Sequence, residues 1–363
     1  MAVFRQKGRS FDHAPDFSFQ LHITDACDQR CSHCYIYAEN PGRKPQQMTW
    51  RQIQSAVDRC LQFCRRIGFR PVFYITGGDP ILHPDFWQLV TWLHSLDLPF
   101  VILGNPYHLD TRVCRRLRKL GCDRYQVSLD GLEKTHDALR RPGSYRDTLN
   151  SLQIMRRGGL RSIVMTTVSA RNIGEMPDLA DVVVSSRADI WSFARYCPTG
   201  SGEPAASAMG SVMTPEMYRG MLVKVDEKIR RHLAAGCATR FDKKDHLWTL
   251  LDYEEGRFAI PEDSKDGVIC GGCHCGISHL TILPDGDVYA CRRVPGSRVG
   301  NIYTDDLVDI WILGMKPYRR YSAFERCASC VLLPWCRGCP AVAASTNGSF
   351  YSADPQCWRI VQQ

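Results

Sequence analysis

Short apolar segments rich in β-branched and aromatic residues recur along the first half of the chain and alternate with longer amphipathic segments. The apolar segments have the length and composition of buried strands. They predict six strands: FSFQLHI at 17–23, VFYIT at 72–76, FVILGN at 100–105, YQVSLD at 125–130, IVMTTVS at 163–169 and IWSFARY at 190–196. Helical periodicity predicts helices between them, at 49–67, 84–96, 110–120, 146–158 and 174–184.

Regular alternation of strand and helix predicts an α/β protein, with parallel strands joined by helical crossovers. Six such units favour an open or partial (β/α)6 TIM-like barrel. A flat doubly wound sheet fits the same periodicity almost as well. In both architectures ligands bind at the carboxyl ends of the strands, so residues that directly follow a strand are the candidates for chemistry.

The pattern changes after the sixth strand. Residues 199–211 are small, polar and rich in Gly and Pro, which is typical of a linker, and a Thr-Pro pair at 214–215 predicts the start of a helix that runs to Gly236. From 262 onward Cys, Gly and Pro dominate, and one hairpin is predicted around the Asp-Gly turn at 285–286. We therefore predict an N-terminal segment (1–16), a barrel (17–200), a linker with a helical connection (201–261) and a cysteine-rich domain (262–363).

Composition is that of a folded protein: the chain has 363 residues, of which 44% are hydrophobic. It contains no apolar run long enough to cross a bilayer, and its first twenty residues lack the apolar core of a signal peptide. We therefore expect a cytoplasmic protein without a membrane partner. The net charge of +8 is spread over the chain, which favours solvated helix faces over an acidic partner and gives no argument for nucleic acid.

Eighteen cysteines are far more than packing requires in a reducing compartment, where clustered thiols indicate metal rather than disulfides. Three of them form the motif CDQRCSHC at 27–34, and nine crowd into residues 270–357. The other six, among them Cys60, Cys64 and Cys197, are scattered. Buried packing is the favoured interpretation for Cys60 and Cys64, whereas Cys197 directly follows the sixth strand, where a substrate would bind.

The motif CDQRCSHC follows the first predicted strand. A structural zinc site needs four ligands, so a compact set of three thiols points to a different centre. Three thiolates on a cubane iron–sulfur cluster leave one iron without a protein ligand, and that iron can bind a small molecule.

The spacing Cys27-x3-Cys31-x2-Cys34 resembles the cluster motif of the radical S-adenosylmethionine (radical SAM) superfamily. The resemblance implies that these cysteines hold a 4Fe-4S cluster that binds SAM and cleaves it reductively to methionine and a 5'-deoxyadenosyl radical. A reductant such as flavodoxin or ferredoxin would then be a partner. His33 stands where the family commonly has an aromatic residue, and we expect it to pack near the adenine.

Two further motifs resemble SAM-binding segments of the same superfamily. TGGDP at 76–80 is similar to the methionine-binding GGEP-type motif, which implies that Gly77, Gly78 and Asp79 receive the methionyl amino group. QVSLDGLEKTHD at 126–137 is similar to the ribose-contacting segment. By this resemblance the remaining candidate cofactor contacts are Ser128, Asp130, Asn172 and Arg195, although turn capping for Asn172 and a place in the core for Arg195 are at least as plausible.

The cysteines of the tail permit two interpretations. Pairs such as Cys327-x2-Cys330 suggest a zinc ribbon, and a non-catalytic zinc-binding scaffold is the alternative of another class. The complete pattern instead resembles the SPASM extension of radical SAM enzymes, which binds two auxiliary 4Fe-4S clusters. The resemblance implies Cys270, Cys275, Cys291 and Cys339 for the first of these clusters, and Cys327, Cys330, Cys336 and Cys357 for the second. Cys273 is surplus to the pattern and is able to replace either Cys270 or Cys275.

SPASM relatives commonly modify peptides, so the first prediction is a radical SAM peptide maturase that forms a thioether or carbon crosslink or a related modification. Modification of tetrapyrrole side chains is the alternative. The sulfatase-maturing chemistry is disfavoured, because Arg292 stands where that branch has an aspartate. Only 26 residues precede the first cluster cysteine, so we expect leader recognition elsewhere. Arg292, Arg293, Arg319 and Arg320 could receive acidic groups of either substrate, although solvated arginines are the favoured interpretation.

Overall fold

All six predicted strands form in the computed structural model. It describes residues 14–37, 42, 44–198, 209–210, 213–262, 268–294 and 296–359. Most of the predicted linker at 199–211 and most of the N-terminal segment lie outside the described residues.

The strands build one ten-stranded sheet with the order β10-β9-β8-β1-β2-β3-β4-β5-β6-β7. Neighbours from β8 through β1 to β7 are parallel, and β9 runs antiparallel to both β8 and β10. This is the mixed α/β sheet of a partial TIM-like barrel. The strands are β1 Asp16–Thr24, β2 Arg70–Gly77, β3 Phe100–Leu103, β4 Cys122–Ser128, β5 Arg161–Val168, β6 Ile190–Arg195, β7 Arg240–Asp242, β8 His279–Ile282, β9 Asp287–Tyr289 and β10 Arg298–Asn301.

The helices lie between the strands as the periodicity predicts, and several are fixed by local caps. Thr49 and Gln52 form a capping box at the start of α1, and the side chain of Thr214 caps α7 through the Met217 N–H. The helices are α1 Trp50–Ile67, α2 Phe86–Ser95, α3 Thr111–Lys119, α4 Glu133–Leu139, α5 Ser144–Gly158, α6 Met176–Ser185, α7 Pro215–Ala234, α8 Leu247–Glu254 and α9 Pro340–Asn347.

Alternation along each strand separates a helix-facing side from an inner side. On β1, Phe17 and Phe19 are fully buried and pack edge-on against Phe63 of α1, with ring centroids 5.0 and 6.0 Å apart. The intervening Ser18 and Gln20 point to the opposite side. Val101, Ile163 and Ile190 form a separate apolar cluster there, which we interpret as the floor of the barrel lumen.

The sheet extends beyond the predicted barrel of residues 17–200. β7 pairs with β6, and β8 of the cysteine-rich region pairs in parallel with β1. α7 packs against α6 through a buried apolar face that includes Tyr218 and Leu222. The region predicted as a connection therefore supplies part of the helical layer. Its strand β7 is three residues long, which is too short for periodicity to reveal.

The predicted hairpin at 285–286 is confirmed, since β8 and β9 pair across it and Gly286 has a positive φ of 88°. In the part of the chain that the structure describes, each helix is too short or too polar to cross a bilayer.

Candidate functional site

The loop after β1 carries the three thiols of CDQRCSHC and surrounds them with N–H donors. The Gln29 N–H and the Asn105 side chain donate to Cys27 Sγ, at 3.4 and 3.3 Å, and Arg140 donates to Cys31 Sγ at 3.8 Å. Donors aimed at sulfur favour the thiolate form. Asn105 and Arg140 are not among the residues that the motifs identified as cofactor contacts.

Burial opposes ionisation of two of these thiols: it raises the pKa of Cys27 and takes that of Cys31 to about 11. Without metal, Cys27 and Cys31 are therefore protonated near neutral pH, and a bound cationic centre would hold them as thiolates. Three convergent thiols with amide, guanidinium and backbone donors fit an iron–sulfur cluster, which offers many sulfur acceptors.

Gly77 and Gly78 hold the cysteine loop against the end of β2. The Gly78 N–H donates to Thr24 O at 2.8 Å, and the Asp79 N–H donates to Ala26 O at 2.7 Å. A Cβ at Gly77 would lie 2.1 Å from Thr24 O. The two glycines thus allow the backbone after β2 to approach the backbone of the cysteine loop directly. The N–H groups of Gly78 and Asp79 therefore bind the loop rather than facing a ligand.

Asp79 is completely buried, and neither carboxylate oxygen makes a hydrogen bond of ordinary geometry in the described part of the chain, although the Asn105 and Ile81 N–H groups lie near it. Burial, reinforced by the nearby charge of Asp28, raises its pKa to about 7. Asp79, Asp28 and His108 bring ligand atoms within 4.8 Å of one another. An unpaired buried carboxylate in an acidic group fits a cationic ligand such as an ammonium.

The pKa of Asp79 gives a testable pH dependence. Below pH 7 the carboxyl takes up a proton and can no longer pair with an ammonium, so affinity for SAM should fall by up to roughly tenfold per pH unit as the pH drops. Titration of the cluster-loaded protein with SAM between pH 6 and 8 measures this. In the Asp79→Asn variant binding should be weaker and nearly independent of pH. An equal slope in the variant would exclude Asp79 as the titrating group.

Asp130 lies at the end of β4 as the centre of a buried polar network. Its carboxylate accepts from Arg140 Nε at 2.7 Å and from the Thr167 N–H at 2.8 Å, and His33 Nε2 lies 3.5 Å away. Burial lowers the pKa of His33 to about 4, so this imidazole is neutral, and its Nδ1 has no partner in the described residues. His33 thus offers an uncommitted nitrogen within the cysteine loop.

The remaining predicted cofactor contacts are Ser128, Asn172 and Arg195, and they differ in their surroundings. Ser128 ends β4, pairs in register with Met165 and is partly accessible. Asn172 is buried, and its amide group donates to Asp130 O and Thr167 O and accepts from the Ser169 N–H, so it braces the strand ends.

Arg195 does not face a cofactor site. Its guanidinium is fully buried and bound by Asp245, by both carboxylate oxygens of Asp354, and by Gln356, at 2.6 to 2.9 Å. Because these acceptors engage four of the five N–H donors of the guanidinium, we assign Arg195 to joining β6 to the C-terminal segment. The sequence placed Arg195 at the end of a strand, where ligands bind. It could not reveal that the acceptors of its guanidinium lie 50 and 159 residues further along the chain.

Two groups of thiols form in the cysteine-rich region. The first contains two hydrogen-bonded thiol pairs, Cys273 with Cys275 and Cys197 with Cys339, and Cys291 packs with the second pair. Cys270, in contrast, is exposed and donates to a backbone carbonyl.

Cations stabilise this first group. Arg293 donates to Cys339 Sγ at 3.6 Å, and His246 hydrogen-bonds to Cys273. The pKa of Cys273 is lowered, first by the hydrogen bond from Cys275 and then by His246. Anion-stabilising groups around several thiols fit an iron–sulfur centre. Cys197 lies outside the predicted ligand pattern.

The second group brings together the four thiols predicted for it. Cys357, Cys330 and Cys327 influence one another electrostatically, as do Cys336, Cys357 and Cys327. Burial raises the pKa of Cys327 to about 12. Burial also raises the pKa of Cys336 and Cys357, so these two thiols and Cys327 need a bound cationic centre to be deprotonated near neutral pH.

The cysteine loop and the first thiol group face each other across Tyr35. In the chain, Tyr35 directly follows Cys34 and Arg292 directly follows Cys291. The Arg292 guanidinium carbon lies 4.7 Å from the centroid of the Tyr35 ring. Arg293 then contacts Cys339. The structure thus combines a partial barrel, a three-thiol loop at the carboxyl ends of its strands, and two further thiol groups beside it. Together these features define an iron–sulfur protein of the α/β class.

Comparison with protein families identifies the chain more closely. Residues 21–183 match the model of the radical SAM superfamily, and residues 273–340 match that of the SPASM iron–sulfur cluster-binding domain. The chain is therefore a radical SAM protein with a C-terminal SPASM domain, and its cofactors are 4Fe-4S clusters and SAM. Membership in this superfamily supports an enzymatic activity.

Two types of curated relative cover nearly the whole chain. It is 24% identical over 343 residues to an AdoMet-dependent heme synthase of Oleidesulfovibrio alaskensis, covering 92% of this chain and 85% of that protein. It is 26% identical over 363 residues to the mycofactocin maturase MftC of Mycobacterium ulcerans, covering 96% and 89%.

Solved structures share the fold. Streptococcus suis SuiB bound to S-adenosylmethionine superimposes with a TM-score of 0.72 at 17% identity, covering 95% of this chain and 78% of SuiB. The AdoMet-bound anSMEcpe gives a TM-score of 0.72 at 16% identity, covering 94% and 90%. At these identities the likeness concerns the architecture alone.

Proposed function

We propose that this enzyme cleaves SAM reductively and uses the resulting 5'-deoxyadenosyl radical to modify a peptide oxidatively. The observation that carries the proposal is the contact of Tyr35 with Arg292, which brings the Cys34 loop close to the first thiol group. A substrate in the lumen between them would lie near both centres. The maturase relative MftC, aligned over almost the whole chain, supports a peptide as the substrate.

Each residue of the SAM site has a role in this proposal. Cys27, Cys31 and Cys34 would ligate the cluster, whose chemistry is to supply the electron that cleaves SAM. Asp79 would bind the methionyl ammonium, while Ser128 and Asp130 would lie on the ribose side. His33, neutral and partly unpaired, would pack at the adenine.

In the first auxiliary group we propose Cys273 as a ligand in place of Cys270, together with Cys275, Cys291 and Cys339. Cys273 hydrogen-bonds to Cys275 and lies next to His246, whereas Cys270 is exposed. The second group would use Cys327, Cys330, Cys336 and Cys357. Completely ligated clusters leave no open iron, which suits electron transfer rather than substrate binding.

This ligand assignment predicts iron contents. Anaerobically reconstituted protein should bind about twelve irons and twelve sulfides per chain, the content of three cubane clusters. The Cys273→Ala variant should lose about four of each, and the matched Cys270→Ala variant should keep the full content. The reverse pattern would restore Cys270 as the ligand. A total near four in the unmodified protein would exclude both auxiliary clusters.

The chemistry needs one electron per SAM cleaved, which a flavodoxin or ferredoxin would donate. Hydrogen abstraction from the substrate then leaves a carbon radical, and a second electron with a proton must depart to complete an oxidation. A cluster close to the lumen is a suitable electron acceptor. The partial barrel and the C-terminal region would keep water from the radical.

Oxidative modification of a tetrapyrrole side chain is the second candidate. The heme synthase relatives align as completely as the maturases do, and Arg292 leaves a buried Nε without a partner among the described residues. Arg319 donates through Nε and Nη1 to the Gly276 and Trp311 carbonyls, both at 2.7 Å, and its Nη2 is buried without a partner among the described residues.

One experiment tests the function and separates its two forms. Reduced protein is incubated with SAM and either a short peptide encoded beside its gene or Fe-coproporphyrin III. 5'-Deoxyadenosine is then quantified, and each substrate is examined for a change in mass. Oxidation of the peptide supports the first candidate, and a change in the porphyrin supports the second. A colourless zinc protein that releases no nucleoside would instead support the scaffold interpretation.

A further inference from the structure

A lysine on the inner side of the barrel forms no ion pair with any carboxylate among the described residues. Lys244 lies two residues after β7, and its ammonium nitrogen contacts Met165 Sδ of β5 at 3.9 Å. Met165 stands in register with Ser128 on one neighbouring strand and Ser192 on the other. Lys244 therefore projects over the inner face of β5 and β6, above the apolar floor of the lumen.

The charges around Lys244 compensate it only in part, through the nearby carboxylate of Asp242. In the described part of the chain no carboxylate forms an ion pair with it, and Asp242 is bound bidentately by Arg240 at 2.8 and 3.0 Å. The neighbouring ionisable groups Arg293 and His279 add no negative charge. Solvent reaches Lys244, but surrounding protein atoms and the charge of Arg293 lower its pKa to about 8.

A second cation lies on the other side of Arg293. Arg292 Nε is buried without a partner in the described residues, and the guanidinium stacks near Tyr35 rather than on an acid. Lys244, Arg293 and Arg292 thus form a positively charged stretch beside the first thiol group, with Arg292 against Tyr35 next to the cysteine loop. Arg293 is engaged with Cys339, which leaves Lys244 and Arg292 available to an anionic ligand.

We propose that Lys244 binds a carboxylate of the substrate, and that Arg292 extends this anion-binding surface toward the SAM site. The proposal rests on the proposed function, because it requires the lumen to be the substrate site. Both candidate substrates supply the group, as a peptide carboxylate or as an acidic tetrapyrrole side chain. An ammonium in a partly desolvated site forms strong charge-assisted hydrogen bonds with such a group.

The test measures binding of matched acidic and neutral ligands to cluster-loaded protein. One arm uses Fe-coproporphyrin III and its tetra-amide, and the other uses the peptide encoded beside the gene and the same peptide with its carboxylates amidated. We expect the Lys244→Met substitution to lower the affinity for the acidic ligand by about 10- to 100-fold in one of the two arms, either for the porphyrin or for the peptide. The neutral form should bind the variant and the unmodified protein equally.

Two controls keep the result specific. Lys244→Arg should restore most of the affinity, since it retains the charge. Lys243→Gln removes the adjacent lysine, which is already paired with Asp252, and should change nothing. The proposal is overturned if no acidic form binds better than its neutral partner, or if Lys244→Met binds both forms like the unmodified protein. Formation of 5'-deoxyadenosine without added ligand tests the proposed function independently.

Discussion

Replacing Gly78 by alanine is expected to abolish incorporation of the SAM-binding cluster and to reduce 5'-deoxyadenosine formation by at least about 100-fold. A Cβ at this position would lie 2.3 Å from Ala26 O and 2.4 Å from Asp25 O. Both obstacles are backbone, so the loop that carries Cys27 must move away. Iron analysis and quantification of the nucleoside measure the two losses.

A matched glycine provides the control. Gly220 lies in α7, and a Cβ there would meet no atom within 4 Å. Gly220→Ala should therefore keep the full cluster content and activity, and gain slightly in stability from the better helix propensity of alanine. Near-normal cluster content in Gly78→Ala would contradict the assigned role of the β2 turn in positioning the cysteine loop.

Replacing Arg195 by methionine should destabilise the protein by about 3 to 5 kcal/mol. The substitution leaves the carboxylates of Asp245 and Asp354 buried without their cation, which costs far more than the ion pair itself contributes. Asp354 also accepts from the Cys339 N–H at 2.6 Å, so the first auxiliary site should lose order as well. Denaturant titration of the reduced protein under anaerobic conditions measures the free energy of unfolding.

The control for this effect is Arg219→Met, which removes an exposed ion pair with Glu254. Such pairs contribute at most about 1 kcal/mol, so this variant should unfold close to the unmodified protein. Equal stability of the two variants would show that the Arg195 network does not hold the barrel to the C-terminal segment.

The strands and helices could be predicted from the sequence because local periodicity encodes them. β1 to β6 and their crossover helices agree with the apolar segments to within a few residues. β7 and β8 are short, and their place in the sheet depends on pairing with strands 50 and 261 residues earlier in the chain. Local patterns carry no information about such long-range pairing.

The motif residues could be predicted for a similar reason: CDQRCSHC and TGGDP are continuous stretches. Arg140 and Lys244 belong to no continuous motif, and their significance comes from distant contacts with Cys31 and Met165. The position of Cys273 relative to Cys270 likewise depends on which thiol the Gly-rich loop turns inward. Spacing alone cannot distinguish thiols so close in sequence.

The central claim is that three thiolates hold a cluster with one iron free to bind SAM. The most direct test records low-temperature EPR spectra of the anaerobically reconstituted, dithionite-reduced protein before and after addition of SAM, with Cys31→Ala alongside. We predict that SAM changes the spectrum of the unmodified protein and leaves that of Cys31→Ala unchanged. An unmodified protein whose spectrum does not respond to SAM would contradict the account.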